Sequence, residues 1–459
     1  MLIRFNVKNF LSFSAREDGK SEEFSMLAGK MRSKEAHILA TDKIKLLKFS
    51  AIYGANAAGK SNLVKAMSFM QQAVVRRLSE RFADKYCKND AANKDKPSYF
   101  EMEIMLGEHY YAYGFEVILS RLQFVSEWLF LLDVDQDELI FERNITAGTY
   151  ELGECFKKNA KLHEKLDIYA GDIRDDGSTL FLRVMNQNKK NFYQENGDAQ
   201  VLRQIYSWIK AGLDITYPDQ PVSDYSYLTA SNDVGELCRV ISAFGTGITD
   251  FKILDVPIER VVSKLPLPLR EKIESTIEEG CRQVKREDEI ASIDMVMRSN
   301  KDFFIIKIGE DEISCQTIKF CHENEGMLFS LAEESDGTVR LLDLLEILLA
   351  GEGRTYVLDE LDRCLHPSLT YTFVETFLKL AEKKNIQLIV TTHESRLLDF
   401  NLLRRDEVWF VNKRADGASN LYSLEEYNER FDKKIDRAYL EGRYGGVPIF
   451  NAVFPFKEE

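Results

Sequence analysis

Eight residues constrain this chain more than any others: Gly54-Ala-Asn-Ala-Ala-Gly59-Lys60-Ser61. They follow an apolar run over 47–53 that reads as a strand. They precede Leu63, Met67, Met70 and Val74, whose spacing puts all four on one helical face. Strand, glycine loop and helix form the context in which G-x-x-x-x-G-K-S cradles phosphate. Glycines let backbone N–H groups curl around an anion, and the helix N-terminus adds partial positive charge. The candidate phosphate-binding set is therefore Gly54, Asn56, Ala57, Ala58, Gly59, Lys60, Ser61 and Asn62. Lys60 is placed to reach the β and γ oxygens, and the Ser61 hydroxyl to ligate Mg²⁺.

Such a loop needs an acidic partner at the end of a buried strand, and Tyr356-Val-Leu-Asp359-Glu360 supplies it. Asp359 is expected to hold Mg²⁺ through water. Glu360 is expected beside the attacking water, where a carboxylate serves as general base. Because Lys60 and Asp359 must meet around one ion, the two ends of the chain are expected to build one split head around an insert.

The intervening text fits that organisation. Residues 3–13 alternate apolar and polar side chains as a half-buried strand does, and the β-rich runs between 99 and 152 read as an antiparallel meander. Residues 151–300 read as a mostly helical insert. Within it Leu269, Ile273, Ile277, Cys281 and Val284 form one apolar stripe, too short for a coiled-coil arm. The last part, 301–459, returns to α/β alternation: a helix over 338–349, a strand at Thr355–Leu358, a helix after Pro367, and strands at Gln387–Thr391 and 407–411. The expected domains are thus 1–150, 151–300 and 301–459.

Composition narrows the partners. The 459 residues carry 61 Lys and Arg against 75 Asp and Glu, a net charge of −14, which disfavours a surface that coats nucleic acid indiscriminately. No segment approaches the length of uncharged apolar sequence that a membrane span needs, and none reads as a secretory signal. The seven cysteines have no CxxC pairing or zinc spacing, which fits inert thiols in a reducing cytoplasm.

Further motifs carry a resemblance. Ser335-Asp336-Gly337-Thr338, at the start of a helix, resembles a degenerate ABC signature. Leu388-Ile-Val-Thr-Thr-His393 is similar to the ABC switch histidine at a strand end. Asp359-Glu-Leu-Asp-Arg-Cys-Leu-His366-Pro367 looks like the extended Walker B and D-loop of SMC- and RecF-like ATPases. Together with VKNFLSF, YYAYGFEVIL, LIFERN, EESDGTVRLLDL and the 439–448 ending, they make the chain resemble the bacterial AAA ATPases with ABC-like heads found in phage-defence operons, of the PARIS and RloA type. Asp336 stands where many ABC proteins have glycine, and His366 where an aspartate is usual.

That resemblance implies an α/β fold, an ABC-type P-loop ATPase head of mixed sheet plus antiparallel meander with a helical insert domain. It implies ATP and Mg²⁺, with Glu360, Lys60 and His393 catalytic, Ser61 and Asp359 on the metal, and Ser335, Gly337 and Thr338 touching the ATP of a second subunit. It further implies a cytoplasmic homo-oligomer, at least a dimer, that switches a separate effector protein, a nuclease or toxin encoded nearby, in antiviral defence or a toxin–antitoxin pair. A phage protein would be the trigger.

Two rival functions are weaker. A RecF/SMC-like repair ATPase binding DNA is disfavoured by the charge. An OLD-type self-contained nuclease needs a TOPRIM domain, and Asp133, Asp135 and Asp137 fit a carboxylate-rich hairpin turn better than a DxD metal site. Gln123 is the nearest candidate for a Q-loop glutamine. The basic pairs Lys285-Arg286 and Arg404-Arg405 read as solvated surface rather than DNA contacts, Tyr110 and Tyr111 as packing, and His37, His109, His163 and His322 as structural.

Overall fold

The computed structural model describes residues 1–31, 33–133, 136–220, 227, 234–263, 265–284, 292–298, 302–309, 312–322, 326–349, 351–426 and 439. They fall into two compact units. One is built from 1–216, 351–361 and the residues from 374 onward, the other from 217–350 and 362–373.

In the first unit β1 (Leu2–Lys8) pairs antiparallel with β2 (Glu22–Ser25), β3 (Ile38–Ala40) and β4 (Lys45–Leu47) make a small hairpin, and β5 (Phe49–Gly54) runs into the glycine loop. The strand expected over 3–13 stops at Lys8, because Asn9 and Leu11 adopt left-handed φ angles of 55° and 51°. That turn drives Phe10 and Phe13 into the core. Asn9 fixes it by donating from Nδ2 to the carbonyls of Asn93 at 2.8 Å and Lys96 at 3.0 Å.

The meander forms as expected: β6 (Ser98–Leu106), β7 (His109–Ile118), β8 (Gln123–Leu132), β9 (Glu138–Asn144) and β10 (Thr149–Leu152). With β1 and β2 it makes a seven-stranded antiparallel sheet in the order β10-β9-β8-β7-β6-β1-β2. The period of two decides which side is core: Phe100, Met102 and Ile104 of β6 and Tyr113, Phe115 and Val117 of β7 are buried. Phe69 of the helix Lys60–Val75 packs there, 4.7 Å from the Phe100 ring.

Residues 154–212 form a series of short helices, but β11 (Leu213–Thr216) then pairs in parallel with a strand of the C-terminal region. The insert expected to be mostly helical over 151–300 thus also contributes a strand to the core sheet. In the second unit β12 (Ile248–Asp255), β13 (Ser292–Arg298), β14 (Phe303–Gly309) and β15 (Ile313–His322) form an antiparallel sheet ordered β12-β15-β14-β13, with β16 (Leu328–Ser330) also on β15. The apolar stripe lies on the helix Leu267–Val284 and seats Ile273 and Ile277 against Ile306, Ile308 and Cys315 of this sheet. Leu269, at the helix start, is left 46% exposed. A second helix, Asp336–Leu349, buries Leu341, Leu342, Leu344, Leu345 and Ile347.

Back in the first unit, β17 (Thr355–Leu358), β18 (Gln387–Thr391), β19 (Val408–Lys413) and β20 (Ser419–Ser423) complete a six-stranded sheet ordered β11-β17-β18-β5-β19-β20. Every pairing is parallel except that of β19 with β20. β5, β17 and β18 are buried along their whole length, as strands covered on both faces must be. Gln387 stitches strands together: its Oε1 accepts from the Leu2 N–H at 2.7 Å and the Thr355 hydroxyl at 3.0 Å, and its Nε2 donates to the Leu47 carbonyl at 3.0 Å. Parallel pairing brings the carboxyl ends of β5, β17 and β18 to one edge, where open α/β sheets bind ligands. Among the described residues no helix is long and apolar enough to cross a membrane.

Candidate functional site at the carboxyl edge of the core sheet

The glycine loop is held by close backbone approach. A Cβ on Gly54 would lie 2.6 Å from the Val411 carbonyl oxygen, so β19 can run this near only to glycine. Gly59 has φ +123°, and a Cβ there would fall 2.3 Å from the Ser419 Oγ and 2.9 Å from the Ser12 Oγ. Those two hydroxyls form a strut behind the loop. Ser419 Oγ donates to the Ala58 carbonyl and lies 2.8 Å from Ser12 Oγ, which in turn accepts from Asn62 Nδ2 at 2.8 Å.

No side chain caps the N-terminus of the helix Lys60–Val75, and its first turn holds no acidic residue. Its first N–H groups and its dipole thus face the loop's interior, the arrangement that receives an anion. Lys60 is 7% exposed, and its Nζ donates to the carbonyls of Gly54 at 2.7 Å and Ala55 at 3.3 Å. Asn56 and Ala57 are exposed at the tip, with Ala57 at φ 62°.

Asp359, 3% exposed, follows β17 directly, and its Oδ1 accepts from Ser61 Oγ at 3.1 Å. It also accepts from the Thr391 hydroxyl at 2.6 Å. The same Thr391 oxygen accepts the Glu360 N–H at 2.8 Å, while the Thr391 carbonyl accepts the Leu361 N–H at 3.0 Å. These bonds hold Glu360 at φ 53°, a left-handed conformation that costs about 1–3 kcal/mol in a residue with a Cβ. His393 is exposed two residues past the end of β18. The segment around it is fixed to β5, since the Thr392 N–H donates to the Ile52 carbonyl at 3.1 Å and the Tyr53 hydroxyl to the Glu394 carbonyl at 3.2 Å.

The first unit therefore brings together Lys60, Ser61, Asp359 and Glu360, with His393 on the neighbouring strand end. Hydroxyl and carboxylate oxygens at Ser61 and Asp359 suit a hard divalent cation that keeps part of its water and takes phosphate oxygens. Among the described residues no cluster of three or more His, Cys, Asp or Glu could hold a metal unaided. Three residues escaped the sequence reading: Thr391, Ser12 and Ser419. Ser12 lies within VKNFLSF and Thr391 within the LIVTTH run, so motif membership was their only trace.

Ser335, Gly337 and Thr338 belong to the second unit. Ser335 caps its own helix, its Oγ accepting from the Thr338 N–H at 3.1 Å and lying 2.9 Å from Thr338 Oγ1. A Cβ on Gly337 would meet the Cys364 carbonyl oxygen at 2.9 Å, and Cys364 itself sits at φ 62°. His366 tops the helix Pro367–Ala381, its carbonyl accepting the Leu369 N–H at 2.8 Å.

Other expectations resolve individually. Gln123 is exposed at the start of β8 beside Gly177. Asp133 pairs with Lys43 at 2.8 Å and its N–H donates to Asp137 at 3.3 Å, a hairpin turn as expected, while Asp135 lies outside the described residues. Tyr110 and Tyr111 are buried. Arg404 is not solvated surface: it is 0% exposed and bonded to Asp406 and the Ser33 carbonyl. Lys285-Arg286 and the 440–448 ending lie outside the described residues. All seven cysteines are free thiols, with Cys155 and Cys364 exposed.

The sequence profile of the family described as "AAA domain, putative AbiEii toxin, Type IV TA system" matches residues 49–149 and 234–399, more than half of the chain. No curated protein matches the sequence. Among solved structures, an Smc head bound to the C-winged helix domain of ScpA aligns at 13% identity over 93% of this chain and 99% of that one, with a TM-score of 0.41. The SMC head domain from Thermotoga maritima aligns at 14% identity over 92% and 98%, with a TM-score of 0.39.

Proposed function

Because the chain belongs to this AAA-domain family, described for type IV toxin–antitoxin systems, we propose that it is a cytoplasmic ABC-type ATPase that binds and hydrolyses ATP to switch a separate effector protein in anti-phage defence. The observation that carries the ATPase reading is the hydrogen-bonded set Ser61, Asp359 and Thr391 beside an uncapped helix N-terminus.

In this reading residues 54–62 wrap the ATP phosphates with backbone N–H groups, and Lys60 exchanges its loop carbonyls for β and γ oxygens. Ser61 and, through water, Asp359 would hold Mg²⁺, which would supply positive charge against the phosphates. Glu360 takes the proton from the attacking water. His393 senses or contacts the transferred phosphate. Ser335, Gly337 and Thr338 of one copy close over the nucleotide of another, so that ATP binding favours a head-to-head dimer and hydrolysis releases it. The 217–350 unit relays that change to the effector, a nuclease or toxin encoded nearby, with a phage protein as trigger. The motif resemblance and the family's description support this partner assignment; the acidic charge and the burial of Arg404 weigh against DNA.

The test is ATP turnover and assembly size in Lys60→Ala and Glu360→Gln. Lys60→Ala should abolish hydrolysis. Glu360→Gln should slow it about 10²–10⁴-fold while an ATP-bound dimer accumulates. Unchanged turnover in Glu360→Gln would reject the site, and failure to co-purify with the neighbouring gene's product would reject the effector role.

A further inference from the structure

The seven-stranded sheet has a second face, and its chemistry is unusual for a solvated sheet. Register places Asn6, Glu101, Gly114, Trp128 and Glu142 side by side across five strands. The next rung is Lys8, Tyr99, Glu116, Ser126 and Asn144, and the preceding one begins Arg4, Glu103. Tyr99 and Trp128 are only half-buried although their ring centroids lie 5.2 Å apart. Trp128 lies flat because the position opposite is glycine: a Cβ on Gly114 would come within 2.4 Å of its ring.

Carboxylates frame these rings. Glu101 accepts from Trp128 Nε1 at 2.8 Å, Glu116 from the Ser126 hydroxyl at 3.2 Å, and Glu23, Glu103 and Glu142 lie on the same face. Arg4 and Lys8 are the cations among them. Burial, reinforced by Glu101 and Glu23, holds the Glu103 carboxyl above its usual range, and burial with Glu101, Glu116 and Glu103 does the same to the Tyr99 phenol. Burial is the larger cause in both groups and the neighbouring carboxylates add to it, while Arg4, bonded to Glu103 at 3.1 Å, opposes it there. At the Arg4 and Glu103 end the face opens into a recess of about 170 Å³ lined by Ile3, Leu27, Ile44, Tyr110 and Leu132.

We propose that this face docks an extended, arginine-bearing segment of a partner protein, its guanidinium groups stacked over Trp128 and Tyr99 and paired with Glu101 and Glu116, with one aliphatic side chain in the recess. Guanidinium groups satisfy aromatic faces and carboxylates together. The carboxylates repel phosphate, which excludes a nucleic acid on this face. The inference is independent of the nucleotide chemistry, since none of these residues belongs to the glycine loop or its acidic partners.

The test uses the full chain and a fluorescein-labelled peptide of alternating arginine and leucine, with an alternating glutamate and leucine peptide beside it. Anisotropy measures affinity. Acrylamide quenching reads Trp128, because the other two tryptophans, Trp208 and Trp409, are 6% and 7% exposed. Expected are binding of the arginine peptide alone, protection of Trp128 from quencher, and affinity lower by about tenfold in Glu101→Gln/Glu116→Gln. The exposed Glu142→Lys reversal, which does not threaten the fold, should weaken binding in the same direction. No binding of the arginine peptide, equal binding of the glutamate peptide, or unaltered affinity in the charge variants would overturn the proposal. So would a change in self-association as the sole effect of Trp128→Ala, which would make the face an interface between copies.

Discussion

Ser61 Oγ and Asp359 Oδ1 meet at 3.1 Å although 298 positions of chain separate them. The carboxyl ends of two parallel strands, β5 and β17, make the meeting, and Thr391 on the intervening β18 holds the aspartate in place.

Thr391→Val keeps the side-chain shape and removes the hydroxyl. Asp359 loses its 2.6 Å donor and the strained Glu360 loses its 2.8 Å acceptor. The Mg²⁺ concentration for half-maximal ATP turnover should rise about 10–100-fold, the usual effect of deleting an orienting partner behind a metal ligand. Nucleotide affinity without Mg²⁺ should be nearly unchanged. Equal loss of both would mean that Thr391 supports only the fold.

Gly59→Ala should abolish nucleotide binding and lower the melting temperature, since the new Cβ meets Ser419 Oγ at 2.3 Å on a backbone at φ +123°. Gly107→Ala provides the contrast. Its φ of +61° carries the left-handed cost of about 1–2 kcal/mol, but nothing lies within 4 Å. Calorimetry and nucleotide titration of both variants separate collision from backbone strain.

Glu127 predicts a pH signature. It is 0% exposed and accepts from the Phe181 N–H at 2.6 Å, the Leu182 N–H at 3.0 Å and the Tyr113 hydroxyl at 3.0 Å, with Arg143 opposite on β9. Burial outweighs these donors and raises its carboxyl above the ordinary 4.5. A carboxyl raised on folding holds its proton more tightly in the native state. Its stabilising contribution is therefore complete below pH 4.5 and is lost as pH rises through the raised value. Thermal unfolding of wild type and Glu127→Gln across pH should show the wild type's advantage shrinking as pH increases. A widening gap would refute the assignment.

Arg404→Met should cost about 3–5 kcal/mol, because it strands Asp406, 3% exposed, without its guanidinium. Arg404→Met/Asp406→Leu should lose less than the single variant in denaturant titrations. A surface role for Arg404 would predict almost no loss from either.

Much of the carboxyl edge of the core sheet was legible in one dimension. The strands Thr355–Leu358 and Gln387–Thr391 and the helix after Pro367 form where apolar runs and proline punctuation put them. The strand over 3–13 was misread because Leu11 and Phe13 resume the alternation that Asn9 and Phe10 break, and the left-handed φ angles of Asn9 and Leu11 end the strand there, with the Asn9 side chain held by the carbonyls of Asn93 and Lys96. The mostly helical reading of 151–300 missed the strands β11, β12 and β13 for a related reason. β11 is a strand because β17 lies beside it, and the antiparallel sheet of the second unit likewise closes between strands far apart in sequence.

The sequence by itself determined the loop, because cradling phosphate demands glycines, lysine and serine at fixed spacing within one turn of chain. It also determined the acidic pair, because strand-end carboxylates follow directly from the run they terminate. Only the tertiary structure decided what supports them. Ser12, Ser419 and Thr391 act through hydroxyls that reach the loop and Asp359 from the turn after β1 and from two other strands, and a hydrogen bond a few ångströms long leaves no periodicity in the residues that make it.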